Sequence, residues 1–224
     1  MMTSVRSDED FIAVLQTAGD GSHLPGNRRR YPRGTTLMNE GDRSERMVVV
    51  VAGLVKVSYF TDDGREVLLA VRGPGDLLGE LAALDGEPFS ATVTALDDVE
   101  ALIMTVDDFK RVLSEEPEFG LSLFKSLSRK LRDADRKRVE FAAYDSVGRV
   151  ASRLVELAET FGQDSLEGIR IGLPLTQEEL AGWTGCSREA VAKALQSLRN
   201  KELIETHRRG VTVKDLDGLR KRIR

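Results

Sequence analysis

The chain has one cysteine, Cys186, in 224 residues. A single thiol excludes an internal disulfide and any cluster held by several cysteines. Only two histidines are present, His23 and His207. Two isolated imidazoles and one thiol cannot complete a metal centre, and they argue against an iron–sulfur or haem sensor. No apolar run reaches 18 residues, so no membrane span and no membrane partner are expected. The first ten residues, Met-Met-Thr-Ser-Val-Arg-Ser-Asp-Glu-Asp, lack the apolar core of a signal peptide. These absences place the protein in the cytoplasm. No nucleophile–base or acid–base set is visible, so neither catalytic residues nor an enzyme is expected.

The chain that remains is a folded one. Hydrophobic residues make up 41% of it, enough for proper cores, and its length suits one or two domains. Three zones differ in pattern. Residues 1–30 are polar, with one short helix expected around Asp8–Leu15. Residues 31–110 carry short β-rich runs at Met47–Val51, Leu54–Phe60, Glu66–Val71, Ala91–Ala95 and Glu100–Thr105. Gly and Asp turns separate them, and Asp63-Gly64 marks a hairpin. This spacing predicts an all-β roll or barrel.

Residues 106–143 read as helical. Val106-Asp107-Asp108-Phe109 starts a short helix, and Pro117 opens a long one. Phe124, Leu127, Leu131, Ala134, Arg138 and Phe141 recur at three- and four-residue spacing. Such a narrow seam suggests a parallel dimer, the alternative being a helix packed on its own domain. An amphipathic helix from Gly148 to Phe161, introduced by Asp145, follows.

Residues 174–200 are the most informative stretch. Thr176 and Glu179 form a capping box, and Leu180 and Ala181 begin an apolar face. Gly185 permits a tight turn, and Ser187 caps the next helix. Arg188, Glu189 and Lys193 then share one side, opposite a stripe of Val191, Ala194, Leu195 and Leu198. This is a helix-turn-helix pattern. Arg can bond guanine and Glu can accept from cytosine in the major groove. An ordinary helical hairpin with a solvated charged face is the plain alternative. The residues that follow favour DNA: 202–213 read as two strands around His207, Arg208, Arg209 and Gly210, a basic wing for phosphates. From Ser187 to Arg224 there are 11 Lys or Arg against 5 acids, a local +6 in a chain of net −4. Positive charge gathered in one region of an acidic chain marks a phosphate-binding surface. Cys186, in the turn, reads as a small half-buried residue.

Three stretches resemble the cyclic-AMP receptor/fumarate–nitrate reductase regulator family, and together they cover almost the whole chain. Gly79-Glu80-Leu81 with Ser90-Ala91-Thr92 resembles its phosphate-binding cassette. Tyr144-Asp145-Ser146-Val147-Gly148-Arg149 resembles its hinge, and Gly185-Cys186-Ser187-Arg188-Glu189-Ala190-Val191 its recognition helix. The resemblance implies an α+β chain in three parts: a cyclic-nucleotide-binding-type β-roll over residues 1–116, a dimerisation helix over 117–143, and a winged helix-turn-helix over 144–224. It implies a homodimer on double-stranded DNA, with TGTGA-like half-sites about one helical turn (~34 Å) apart. RNA polymerase is the further partner implied. The candidate DNA contacts are Thr176 and Gln177 on the first helix, Ser187, Arg188, Glu189 and Lys193 on the second, and His207 and Arg208 on the wing.

The implied effector pocket comprises Gly79, Glu80, Leu81, Phe89, Ser90 and Ala91, with Ala134 and Asp135 from the long helix. Here the chain departs from the family. The Arg that precedes the cassette Ser in cyclic-AMP binders is Phe89, and no Lys or Arg lies between Arg72 and Lys110. The adenine-contacting pair aligns with Ala134, which cannot hydrogen-bond, and Asp135, which adds negative charge. Loss of one charge-assisted bond costs about 1.5–3 kcal/mol, roughly 10- to 150-fold in affinity. Binding of cyclic AMP is therefore expected to be weak or lost, and no cofactor is expected. Two readings of the pocket stand. It takes a less anionic small molecule, with Phe89 stacking on a ring or filling an apolar wall, or it is empty. From a different class, the β-roll could be a scaffold module for a partner protein, with a degenerate helix-turn-helix.

Overall fold

The computed structural model describes residues 26–43, 46–173, 175–208 and 210–223. The helix expected near Asp8–Leu15, His23 and Arg209 lie outside them. The described residues fall into two compact units, 26–60 with 69–132, and 61–68 with 133–223.

The first unit is built on two four-stranded sheets. Strands β1 (Asn27–Tyr31), β2 (Thr36–Met38), β3 (Arg46–Ala52), β4 (Val55–Phe60), β5 (Glu66–Arg72) and β6 (Leu77–Leu78) precede a short helix, α1 (Glu80–Asp85). Strands β7 (Thr92–Ala95) and β8 (Val99–Thr105) complete the set. One sheet runs β1-β8-β3-β6 and the other β2-β7-β4-β5. The roll expected from the sequence is present, and the five expected runs all lie within or overlap strands.

Strand β3 is buried along Met47–Val50 because both of its faces are covered. Val48 and Val50 point into a core shared by the two sheets, with Leu37, Val55, Val93, Ala95 and Phe89. Met47 and Val49 point the other way, onto α2 (Val106–Glu115) and the start of α3 (Pro117–Ala143). Phe109 and Phe119 meet there edge to face, with centroids 5.8 Å apart. Thr105 caps α2 by accepting from the Asp108 amide at 3.0 Å.

Four elements escape the sequence pattern. Strand β1, Asn-Arg-Arg-Arg-Tyr, is exposed at its first four residues, so it shows no alternation. Strands β2 and β6 have three and two residues, too few to show a period. Helix α1 is a single six-residue turn between two glycines.

The second unit gathers α4 (Ser146–Phe161), β9 (Gln163–Ser165), β10 (Gly168–Ile171), α5 (Gln177–Thr184), α6 (Arg188–Asn200), β11 (Ile204–His207), β12 (Gly210–Val213) and α7 (Leu216–Lys221). Asp145 caps α4, accepting from the Gly148 amide at 2.7 Å, so the helix begins two residues before the expected Gly148. Strands pair in the order β11-β12-β10-β9, which extends the expected two-stranded wing to four strands. Strand β9, Gln-Asp-Ser, is fully exposed and gave no signal.

Candidate nucleic-acid interface and effector pocket

Helix α5 starts at the capping box expected from the sequence. The Thr176 hydroxyl accepts from the Glu179 amide at 3.1 Å, and the Glu179 carboxylate accepts from the Thr176 amide at 2.8 Å. The turn follows at Gly185, with φ 59° and ψ 35°. A side chain there is excluded twice, by the left-handed backbone and by the Phe141 ring, which lies 2.4 Å from where a Cβ would sit. The Cys186 amide donates to Ala181 O at 3.1 Å and closes the turn.

Helix α6 opens on Ser187, whose hydroxyl accepts from the Ala190 amide at 3.1 Å. Val191, Ala194, Leu195 and Leu198 are buried, while Arg188, Glu189 and Lys193 are exposed. Burial of Val191, Leu195 and Leu198 contributes about 1.5–3 kcal/mol each, which fixes the side that α6 turns outward. Its own backbone N–H and the Ser187 hydroxyl hold the Glu189 carboxyl below the usual glutamate range, so it is an acceptor at neutral pH. The exposed side runs on to Gln196 and Asn200, whose side chains bond at 2.7 Å. Sequence reasoning passed over these two because they carry no charge, although they continue the same helical spacing.

Thr176 and Gln177 are exposed at the start of α5, and His207 and Arg208 are exposed at the β11–β12 turn. His207 Nε2 lies 2.9 Å from the Thr212 hydroxyl. The local charge is not all available to DNA. Arg220 pairs with Glu159 at 2.7 Å and Arg222 with Asp145 at 3.1 Å. These two cations tie α7 and the chain after it to the rest of the unit.

Cys186 is half-buried, as expected. Burial pushes its thiol up, but hydrogen bonds with Thr184, Arg149 and Ser146 outweigh burial and set it below the ordinary value.

In the first unit, Gly79, at φ 81°, leads into α1 and delivers Glu80 to the interior. The Glu80 carboxylate meets the Lys130 ammonium at 2.8 Å, and Lys130 also donates to Leu77 O at 2.9 Å. Lys130 is a functional candidate the sequence reading missed. It is 50 residues from Glu80 in the chain, and no local motif links them. Leu81 and Ser90 are exposed and Ala91 is buried. Phe89 is 6% exposed and belongs to the core between the sheets. The ring is thus part of the apolar packing between the sheets. A cavity of about 1010 Å³ opens beside Phe89, floored by Met38, Ala82 and Ala83 and rimmed by Arg46 and Lys110. Gly79, Glu80 and Ser90 do not line it. Ala134 and Asp135 belong to the second unit, and both are exposed; Asp135 pairs with Arg138 at 3.7 Å.

Two residues of the expected seam on α3 contact their own chain. Leu127 packs against the core of the first unit, and Phe141 covers the turn at Gly185 and the Arg149 guanidinium. Phe124, Leu131 and Arg138 remain exposed, as does Ala134 at the margin. Leu121, in the first unit, and Val139, in the second, are exposed too.

Comparison with known proteins agrees with this architecture. Residues 28–116 match the cyclic nucleotide-binding domain family, and residues 148–222 match the Crp-like helix-turn-helix domain family. The chain is 34% identical over 194 residues, 87% of each protein, to the CRP-like cAMP-activated global transcriptional regulator of Mycobacterium tuberculosis. It is 29% identical over 188 residues to the cAMP-activated global transcriptional regulator CRP of Salmonella typhimurium, covering 82% of this chain and 88% of that one. A CRP-family transcriptional regulator of Thermus thermophilus shares the fold with a TM-score of 0.74 at 27% identity, covering 87% of this chain and 96% of that one. A CooA mutant from Carboxydothermus hydrogenoformans superposes with a TM-score of 0.78 over 97% of both chains at 22% identity, a likeness of fold. A nucleotide-binding-type β-roll, a long helix and a winged helix-turn-helix with an exposed Arg188/Glu189/Lys193 side thus occur in one order along one chain, and that chain belongs to the CRP/FNR family of DNA-binding transcriptional regulators.

Proposed function

We propose that the protein is a homodimer that reads a two-fold symmetric, TGTGA-like DNA site and does not depend on cyclic AMP. The observation that carries the DNA reading is the start of α6. Its buried stripe leaves Arg188, Glu189 and Lys193 outward together, with the β11–β12 turn supplying phosphate contacts. Residues 1–116 serve as the effector-type domain, 117–143 as the dimer helix and 144–224 as the reader. The exposed stripe of Leu121, Phe124, Leu131 and Val139 supports pairing with a second α3. RNA polymerase is the partner through which such a dimer acts on transcription.

The effector reading rests on two side chains. Phe89 lies in the core, and the resemblance aligns it with the Arg that would face a cyclic phosphate. Glu80, the acid for a ribose, is already matched by Lys130. A cyclic nucleotide must compete with that internal ion pair and gains no compensating arginine. The relatives described above are cAMP-activated, and the resemblance implies an Arg in such proteins where this chain has Phe89.

Fluorescence anisotropy of a labelled duplex with two inverted TGTGA half-sites, at fixed salt, tests both claims. Saturable binding of equal affinity with and without cyclic AMP is expected. Binding that appears only with the nucleotide would overturn the effector reading, and no preference for the duplex over random sequence would overturn the DNA reading.

A further inference from the structure

The sequence contains one tryptophan, Trp183, and it lies on α5 in the middle of the reader. Its side chain is 3% exposed. Two cations stand over its ring: Lys137 of α3, 5.6 Å from the centroid, and Arg153 of α4, at 5.7 Å. Three helices therefore meet at one indole. Such contacts strengthen where water is excluded.

The cations are held in place by a shared set of acids. Arg153 is 2% exposed and binds Glu140 of α3 and Glu156 of its own helix. Glu140 is 5% exposed, accepts from the Ser152 hydroxyl at 2.8 Å and meets Arg136 at 3.7 Å. Lys137 meets Glu156 at 3.7 Å. Each acid thus joins α3 to α4, and each cation joins one of those helices to α5. A buried charge network adds little to stability compared with apolar packing of the same volume. What it supplies is direction. Charged partners accept only a narrow set of geometries, whereas apolar side chains slide.

We infer that Glu140 and Arg153, acting through Trp183, are positioning residues that fix the helix-turn-helix against the last turns of α3. Nothing in this cluster touches the outward side of α6. Its task is the angle at which that side is presented, and the inference rests on the proposed two-site DNA reading. For a dimer on two half-sites, that angle decides whether the second contact is intramolecular or out of reach.

The test uses the full-length protein and variants Glu140→Gln, Arg153→Lys and the charge-free pair Glu140→Gln/Arg153→Met. The pair guards against misfolding from a lone buried charge, and thermal unfolding checks each protein. Anisotropy is read on duplexes carrying one half-site, and on two inverted half-sites with spacers changed one base pair at a time. For the variants, single half-site affinity is expected within about threefold of wild type. Affinity for the paired site is expected to fall at least ~10-fold, and the spacer optimum to broaden, since avidity is lost when geometry fails. Arg153→Lys, which keeps the charge but not the planar fork, is expected to recover part of the loss. Unchanged spacer preference in folded variants overturns the inference. Equal losses on single and paired sites also overturn it, because they indicate a merely structural role. If wild type itself shows no preference for paired half-sites, the two-site reading fails instead. The joint is then judged by Trp183 fluorescence anisotropy decay, where unchanged indole mobility in the pair variant overturns it.

Discussion

Arg188 and Lys193 differ in what they can say to DNA. An Arg fork can bond two acceptors of one guanine at once, whereas a Lys ammonium is a point charge that tolerates several partners. Substitution of Arg188 by Ala should cost about 1–3 kcal/mol on the preferred site and relax discrimination at one base pair of each half-site. Lys193→Ala should lower affinity for many sequences alike. Competition binding across a set of single-base variants separates the two, and a uniform loss for Arg188→Ala would place that side chain on phosphate. The exposure of these residues was legible from spacing alone, because the buried stripe and the outward side of a helix share one period. Lys130 was not, since its meaning comes from Glu80 across the fold. Phe89 was half legible: the absence of Lys and Arg around it is visible in the sequence, but the ring's place in the core is not.

Among the elements, most helices with capped ends declared themselves and marginal strands did not; the short α7, capped by Asp215, is the exception. Thr105, Asp145, Thr176 and Ser187 each cap a helix start through an amide two or three residues into it. Strands such as β1 and β9 take their place from their neighbours, β8 and β10, and their own exposed side chains carry no alternation. The Asp145 cap has a measurable pH signature. The Gly148 amide holds its carboxyl below the usual aspartate value, against a smaller opposing effect of burial, and Arg222 adds to the lowering. A group depressed on folding stabilises above its unfolded value, near ~3.9, and that contribution disappears as pH falls through the folded value. At pH 7, Asp145→Ala should therefore cost about 1 kcal/mol, and Asp145→Asn less, because Asn also caps. Urea unfolding should show the wild-type margin over Asp145→Asn shrinking as pH falls below ~4; a margin that stays constant would mean the carboxylate charge is irrelevant. Helix α3 was read correctly as one long helix, yet the contacts of two seam residues with their own chain were not legible. Period alone cannot tell which side of a helix its own domain will cover, and Leu127 and Phe141 are spent there.

For the whole molecule, the exposed stripe on α3 leads to an expectation about mass. Glu at both Phe124 and Leu131 should convert a dimer to a monomer at micromolar concentration in sedimentation equilibrium. The monomer should still melt cooperatively, since neither side chain is in a core. A wild-type chain that sediments as a monomer would remove the dimer from the proposed function. Charge is also arranged on this scale, with an acidic chain ending in a basic reader, so DNA meets the attractive part of a surface that elsewhere repels it. The arginines of β1 belong to a different problem. Strand β1 closes its sheet on one side and has no described strand beyond it. Arg28, Arg29 and Arg30 stand out along that margin, exposed one after another. An uncovered strand margin can pair with that of another molecule, and charged side chains along it disfavour such pairing. Arg28 and Arg30 pair with Glu100 of the neighbouring strand and Arg29 stands over the Tyr31 ring, so charge held along this margin is expected to disfavour strand-to-strand association when the protein is concentrated.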